Sequence, residues 1–156
     1  MSRVLVAGVG NIFLGDDGFG VEVVRRLALD PPKGGRVVDF GIRGIQLAYE
    51  LLEGYDTLIL VDALSRGGAP GTLYVFQPKM PEDEPASMPD AHGLDPASVL
   101  SMLRMLGGSI GRAIVVGCEP ASTAEGIGLS APVERAVEQA VDVVRTAVAR
   151  FGRAPC

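Results

Sequence analysis

Short, almost wholly apolar runs alternate with segments of helical periodicity along this chain. Residues 4–9 and 57–61 are the clearest of these runs, and such runs are typical of parallel strands that are covered on both faces. Between them, apolar residues recur at helical spacing, as at Val21, Val24 and Leu27. The alternation predicts an α/β three-layer sandwich, in which a mostly parallel sheet lies between helices on both faces.

The pattern predicts five strands and four helices. The strands cover residues 4–9, 36–40, 57–61, 71–76 and 113–117, and the fourth alternates as an edge strand does. The helices are expected to begin near Val21, Ile45, Pro96 and Ser130. The proline-rich stretch 77–92 shows no periodicity, and a loop of this length inside a compact domain is usually functional or disordered.

Composition restricts the classes of function that are open to the chain. Its 156 residues suit a single domain, 1–156, and its formal charge of −5 argues against non-specific nucleic-acid binding. No apolar run reaches the length of a membrane span, and no signal peptide is visible. Cys118 and Cys156 are the only cysteines, so a disulfide framework is not expected. We therefore expect a monomer in the cytoplasm, with neither a membrane nor a nucleic acid as its partner.

Three side chains are candidate metal ligands: Asp17, Asp62 and the only histidine, His92. Asp17 follows the first strand in the glycine-rich turn, Asp62 ends the third strand, and His92 lies in the long loop. Two carboxylates and one imidazole suit a nickel- or zinc-type ion better than calcium or magnesium, which prefer all-oxygen sites. If the first and third strands are neighbours, Asp17 and Asp62 both face the crevice at the carboxyl ends of the strands. Three protein ligands would leave coordination positions open, as in a reactive site.

Each of these residues also has a structural alternative. One of the adjacent acids Asp16 and Asp17 is expected to cap the following helix. Asp62 could serve a strand-end turn or an ion pair with Arg66, and a lone histidine such as His92 is more often found on the surface.

The glycine-rich turn after the first strand also invites comparison with dinucleotide-binding folds. Gly8 and Gly10 fit that fingerprint, and Asp39 ends the second strand where a ribose-binding acid would lie. However, the third glycine of the fingerprint is replaced by Phe13, and Asp16 and Asp17 would repel a phosphate at the start of the helix. Dinucleotide binding is thus the weaker alternative.

The sequence resembles the hydrogenase maturation endopeptidases, which trim the large subunit of nickel-iron hydrogenases. The motifs that carry this resemblance are Val6-Ala-Gly-Val-Gly-Asn11 with Asp16-Asp-Gly-Phe-Gly20, Leu60-Val-Asp-Ala63, Pro70-Gly-Thr-Leu73, His92-Gly-Leu94 and Gly117-Cys-Glu-Pro120. The resemblance implies a five-stranded, phosphorylase/hydrolase-like sheet between helices, with residues 72–76 as an antiparallel edge strand. It also implies that Asp17, Asp62 and His92 bind nickel that the substrate brings.

The activity implied by the resemblance is the removal of a C-terminal extension from the hydrogenase large-subunit precursor after nickel insertion. No serine or cysteine triad is available, because His92 is the only imidazole and Cys118 lies in an apolar context. We therefore expect metal-assisted hydrolysis, in which Asp17, Asp62 and His92 position the scissile bond and an acid such as Asp16 handles protons. A non-catalytic nickel-delivery module that uses the same three ligands is the alternative of a different class.

Overall fold

The computed structural model describes residues 2–79 and 96–152. The strands are β1 (Val4–Val9), β2 (Gly35–Gly41), β3 (Thr57–Ala63), β4 (Leu73–Phe76) and β5 (Arg112–Cys118). The helices are α1 (Phe19–Leu29), α2 (Gly44–Leu51), α3 (Pro96–Met105) and α4 (Ala131–Phe151), and a 3-10 turn (Gly15–Gly18) precedes α1. Every strand and helix that the sequence predicted is present, with bounds that differ by a few residues at most.

The strands form one five-stranded sheet in the order β2-β1-β3-β5-β4. The pairs β1–β2, β1–β3 and β3–β5 are parallel, whereas β4 is antiparallel to β5 and lies at the edge. The predicted mixed sheet with an antiparallel edge strand is thus confirmed. The first and third strands are indeed neighbours, with Val4 of β1 in register with Thr57 of β3.

Apolar side chains cover both faces of the sheet. On one face, α1 and α4 pack against residues such as Val6 of β1 and Ile59 of β3. On the other face, α2 and α3 pack against Leu5 and Leu58. Because successive residues of a strand point to opposite faces, a continuous apolar run is what a sheet between two helical layers requires. The three-layer prediction is therefore confirmed.

Two predictions concern residues that the structure does not describe. The expected helix cap Asp95 and the candidate ligand His92 both lie between the described ranges 2–79 and 96–152. Within those ranges, no helix is long and apolar enough to span a membrane.

Candidate active site

The candidate site lies at the carboxyl ends of β1 and β3. From β1 the chain continues to β2 on one side, while β3 lies on the other side, so the strand order reverses at this point. In open α/β sheets, ligands bind in the crevice outside the carboxyl ends of the strands at such a reversal. Both Asp17 and Asp62 come from the elements that form this crevice.

A glycine allows the turn that carries Asp17 to approach β3 closely. A Cβ atom on Gly20 would lie 2.1 Å from the carbonyl oxygen of Val61 and 2.5 Å from that of Val9. The start of α1 is therefore wedged against the backbones of both β1 and β3. Asp17 precedes this contact by three residues, and Asp62 directly follows Val61.

The Asp17 carboxylate is fixed within its own turn. Its Oδ2 accepts a hydrogen bond from the backbone N–H of Asn11 at 2.8 Å, and the residue is partly exposed. Gly10 makes this turn possible, because its φ is 139° and a Cβ there would lie only 1.9 Å from the carbonyl oxygen of Asp17. The carboxylate thus keeps contact with solvent while its position is set by the backbone.

Asp62 is held more rigidly, because it lies inside β3 rather than after it. Its backbone is in register with Gly117 of β5, and its residue exposure is only 7%. The side chain accepts a hydrogen bond through Oδ1 from the N–H of Ala63 at 2.8 Å. Asp62 is therefore a buried carboxylate that is held in a fixed position near the carboxyl end of the central strand β3.

The third candidate ligand, His92, lies outside the described residues. Within residues 2–79 and 96–152, no group of three histidine, cysteine or acidic side chains is arranged to hold a metal ion. The two carboxylates from the turn and from β3 form the described part of the candidate site, and the three-ligand set stays a prediction.

Asp16 has a role that the sequence did not reveal. It is only 1% exposed, and its two carboxylate oxygens accept four hydrogen bonds from residues 121–130. The donors are the N–H groups of Ala121 (2.8 Å), Ser122 (3.1 Å) and Ser130 (2.7 Å) and the hydroxyl of Ser130 (2.8 Å). Asp16 thus fastens the turn that carries Asp17 to the segment before α4.

The expectation that Asp16 or Asp17 caps α1 is wrong. The cap position is Gly18, and no side chain caps the helix there, because both acids lie within the 3-10 turn that precedes α1. Asp16 instead lies at the start of α4, where Ser130 is the cap residue; the Ser130 hydroxyl donates to Asp16 and accepts no capping hydrogen bond from the helix. A carboxylate is favoured at the N-terminus of a helix because the helix dipole is positive there.

The hydrogen bonds decide the charge state of Asp16. Burial alone would raise the pKa of its carboxyl, but the hydrogen bonds from Ser130, Ala121 and Ser122 outweigh it and lower the pKa below its ordinary value. Asp16 is therefore ionised at neutral pH. Its assignment to proton transfer stays a prediction.

Glu119 organises the segment that follows Asp62. Its Oε1 accepts hydrogen bonds from the hydroxyl of Tyr74 (2.7 Å) and from the N–H groups of Arg66 (2.7 Å) and Gly68 (3.0 Å). The hydroxyl of Tyr74 and then the N–H of Arg66 lower the pKa of this carboxyl despite its burial. The sequence offered one signal, since Glu119 belongs to a motif of the family resemblance, but its partners lie 45–53 residues away.

Cys118 belongs to the core, as expected. Its side chain is fully buried, and burial, followed by the charges of Asp16 and Glu119, raises the pKa of its thiol to about 11. A nucleophilic cysteine requires a lowered pKa and access to the substrate. Cys118 is therefore not a catalytic thiol.

Most backbone N–H groups of the glycine turn already donate hydrogen bonds within the protein, so few remain to bind a phosphate. Backbone N–H groups are already used at seven of the eight positions from 10 to 17: Gly10, Asn11, Phe13, Leu14, Gly15, Asp16 and Asp17. A dinucleotide would need such groups to be free in the turn that leads from the strand into the helix. This count argues against the dinucleotide alternative.

Comparison with known proteins agrees with the fold and identifies the family. The model of a protein family, the hydrogenase maturation proteases, matches residues 21–147, and the chain belongs to this family. It is therefore a hydrolase that cleaves peptide bonds.

Individual relatives cover nearly the whole chain. The hydrogenase 2 maturation protease of Escherichia coli is 35% identical over 156 residues, which cover 96% of this chain and 93% of that protein. The solved structure of the E. coli hydrogenase maturating endopeptidase HybD superposes with a TM-score of 0.79 at 34% identity, covering 95% of this chain and 93% of that one. A hydrogenase 2 maturation peptidase from a thaumarchaeote gives a TM-score of 0.73 at 35% identity, covering 94% and 98%.

Proposed function

We propose that this protease removes a C-terminal extension from the large-subunit precursor of a nickel-iron hydrogenase after nickel has been inserted. The proposal rests on membership of the maturation protease family and on relatives whose names refer to hydrogenase maturation. The observation that supports it is the close approach of Gly20 to Val61, because Asp17 precedes Gly20 by three residues and Asp62 directly follows Val61. Two carboxylates at the carboxyl ends of neighbouring strands are suited to bind a cation that arrives with a protein substrate.

In this proposal, Asp17, Asp62 and His92 recognise the nickel that the precursor carries. The fixed backbone of β3 and the rigid turn before α1 set the two carboxylates in advance, so that little side-chain freedom is lost on binding. His92, from the chain between β4 and α3, supplies the third ligand. Binding the ion at these residues would hold the adjacent peptide bond in place for hydrolysis.

The protein's chemical contribution is then mainly electrostatic and positional. Nickel acts as a Lewis acid toward a carbonyl oxygen or a water molecule. The buried Asp62 supplies negative charge in a poorly solvated position, while the partly exposed Asp17 keeps an oxygen within reach of an approaching chain. Together they favour a cation-bearing substrate over a cation-free one.

Cleavage of nickel-loaded precursor by purified variants tests the proposal. We expect Asp17→Asn, Asp62→Asn and His92→Asn each to lower kcat/KM at least a hundredfold, because each removes a ligand while preserving size. Asp142→Asn, at an exposed position of α4, is the matched control and should cleave at the wild-type rate. Near-normal cleavage by the Asp17 or Asp62 variant would rule out the proposed recognition.

A second measurement compares precursor with and without nickel. We expect the wild-type enzyme to process only the nickel-loaded form, which is seen as a shortened large subunit. Efficient cleavage of the nickel-free precursor would show that the ion is not recognised. Tight binding of the loaded precursor without cleavage would favour the nickel-delivery alternative.

A further inference from the structure

A groove of about 310 Å³ lies beside the candidate site. It runs between the turn after β1 and the connection from β2 to α2. Apolar side chains form most of its lining, with one acid and one base: Ile12, Phe13, Val21, Ile42, Asp39 and Arg25. Its volume is at the small end of the range for ligand sites, which is large enough for one or two amino-acid side chains.

The exposure of these apolar side chains is unusual for connecting segments. Ile12 is 40% exposed, Phe13 60% and Ile42 66%. Turns are normally built from glycine, proline and small polar residues. Large apolar side chains that are left together in solvent beside a cleft mark a binding surface.

The polar groups that line the groove indicate which class of ligand it can bind. The backbone N–H of Gly10 donates to the carbonyl of Gly41 at 2.9 Å, that of Asn11 to Asp17, and that of Phe13 to the Asn11 side chain at 2.9 Å. These groups are thus not available to a phosphate. Asp39 and Arg25 contribute one charge of each sign, so the groove has no net charge to attract an ion. An apolar, uncharged ligand fits these walls best.

The groove and the candidate site share a wall. Asn11 lines the groove, and its N–H fixes the carboxylate of Asp17 at 2.8 Å. A peptide bound at Asp17 can therefore reach the groove within a few residues, since an extended chain advances about 3.3 Å per residue. We therefore take the group that occupies the groove to belong to the same peptide substrate.

We propose that the groove binds a bulky apolar side chain of the precursor close to the scissile bond and so determines which peptide is cut. This inference rests on the proposed function, because it takes the precursor to be the substrate. Ile12, Phe13 and Ile42 are the specificity-determining residues. They act by removing the substrate side chain from water, while Asp17 and Asp62 act on the ion.

Single substitutions in the groove test this proposal. We expect Phe13→Ser and Ile42→Ser each to raise KM for nickel-loaded precursor about tenfold with little change in kcat, which corresponds to about 1.4 kcal/mol of lost binding. Leu29→Ser, at an 87% exposed position at the end of α1, is the control and should keep the wild-type KM. Because the replaced side chains are exposed, folding should be unaffected, and circular dichroism checks this. An unchanged KM in both groove variants would overturn the proposal.

Substitutions in the precursor identify the matching side chain. Single apolar residues on either side of the cleavage point are replaced by serine, and each precursor is tested with wild-type and Ile42→Ser enzymes. At one precursor position, the serine substitution should raise KM about tenfold with the wild-type enzyme. With the Ile42→Ser enzyme the same substitution should cause no further increase in KM, as expected for two groups in contact. Additive effects at every position would contradict a contact in the groove.

Binding measured without catalysis separates the two proposals. The Kd of nickel-loaded precursor whose scissile peptide bond has been made uncleavable is determined by calorimetry for the wild type, Ile42→Ser and Leu29→Ser, and cleavage of the unaltered precursor is measured in parallel. Binding without cleavage by the wild type would refute the proposed function, while a Kd raised about tenfold only for Ile42→Ser would still support the groove. Cleavage by the wild type with equal Kd values for all three would refute the groove alone.

Discussion

The carboxylate of Asp16 accepts both the backbone N–H and the hydroxyl of Ser130, at 2.7 and 2.8 Å, across 114 residues of sequence. This pair joins the turn that carries Asp17 to the first residue before α4. The candidate site is therefore supported by residues from the far end of the described chain.

Replacing Asp16 by asparagine should destabilise the fold. The amide group of asparagine would place donor hydrogens against the N–H groups of Ala121 and Ser122, which then lose their acceptor. A buried group left without a partner costs about 1–3 kcal/mol. Urea unfolding at pH 7 measures this loss, with Asp142→Asn on the surface of α4 as the control. Equal free energies of unfolding for the wild type and Asp16→Asn would contradict the assigned role.

The contribution of Asp16 should depend on pH in a defined direction. Since its folded-state pKa is lowered from the ordinary value of 3.8, the stabilisation is fully present above that value and is lost as the pH falls through the lower folded-state pKa. The difference in free energy of unfolding between the wild type and Asp16→Asn should therefore be constant from pH 7 to 5 and shrink below pH 4. Urea titrations at pH 7, 5, 4 and 3 check this, and a difference that grows on acidification would refute the assignment.

Gly20→Ala should disturb both stability and cleavage. The added Cβ would meet the carbonyl oxygens of Val61 and Val9, which belong to strand backbones and cannot move aside. We expect a loss of about 3 kcal/mol in the free energy of unfolding and a lower cleavage rate. Gly111→Ala is the milder comparison and should destabilise the fold less, because its Cβ would lie 3.2 Å from a single close neighbour, the carbonyl oxygen of Asp56. Wild-type stability of Gly20→Ala would show that the turn does not lie this close to β3.

Glu119→Ala should loosen the segment that follows Asp62. The N–H groups of Arg66 and Gly68 would lose their shared acceptor, and their hydrogen exchange should accelerate at least tenfold. Exchange measured by NMR reports both amides directly. Glu125→Ala, at an exposed position, serves as the comparison and should leave both amides unchanged. Unaltered exchange in Glu119→Ala would mean that other contacts hold this segment.

Cys118 should resist thiol reagents in the native protein. With a pKa of about 11, only about one thiol in ten thousand is ionised at pH 7, and the sulfur has no access to solvent. Mass spectrometry after treatment with iodoacetamide should find Cys118 unmodified until the protein is unfolded. Cleavage activity should survive the treatment in a Cys156→Ser variant. Rapid native modification of Cys118 would contradict the buried position.

The layers of the fold were predictable because burial on both faces leaves a clear signal. The strand over residues 4–9 is confirmed to the residue, since a parallel central strand must be apolar throughout. The neighbouring arrangement of β1 and β3 could only be stated as a condition, because strand order depends on contacts between distant segments. The alternating pattern of residues 71–76 did indicate the edge position of β4.

The candidate site was predicted less completely. Asp17 was found because it stands among the paired acids that end the glycine-rich turn after the first strand, and Asp62 because it directly follows an apolar run. The role of Asp16 was missed, since its donors lie 105–114 residues away and local rules suggested a helix cap instead. That local rule fails here because Asp16 and Asp17 lie within a 3-10 turn, so that Gly18 takes the cap position of α1. The placement of His92 stays a prediction, because it lies outside the described residues.

The four hydrogen bonds to Asp16 also have a consequence for synthesis on the ribosome. All four donors lie between residues 121 and 130, so a nascent chain that ends before Ala121 has none of them. The turn that carries Asp17 gains this anchorage only after residues 121–130 have been synthesised. A translation product that ends before residue 121 therefore lacks all four hydrogen bonds that brace the turn carrying Asp17.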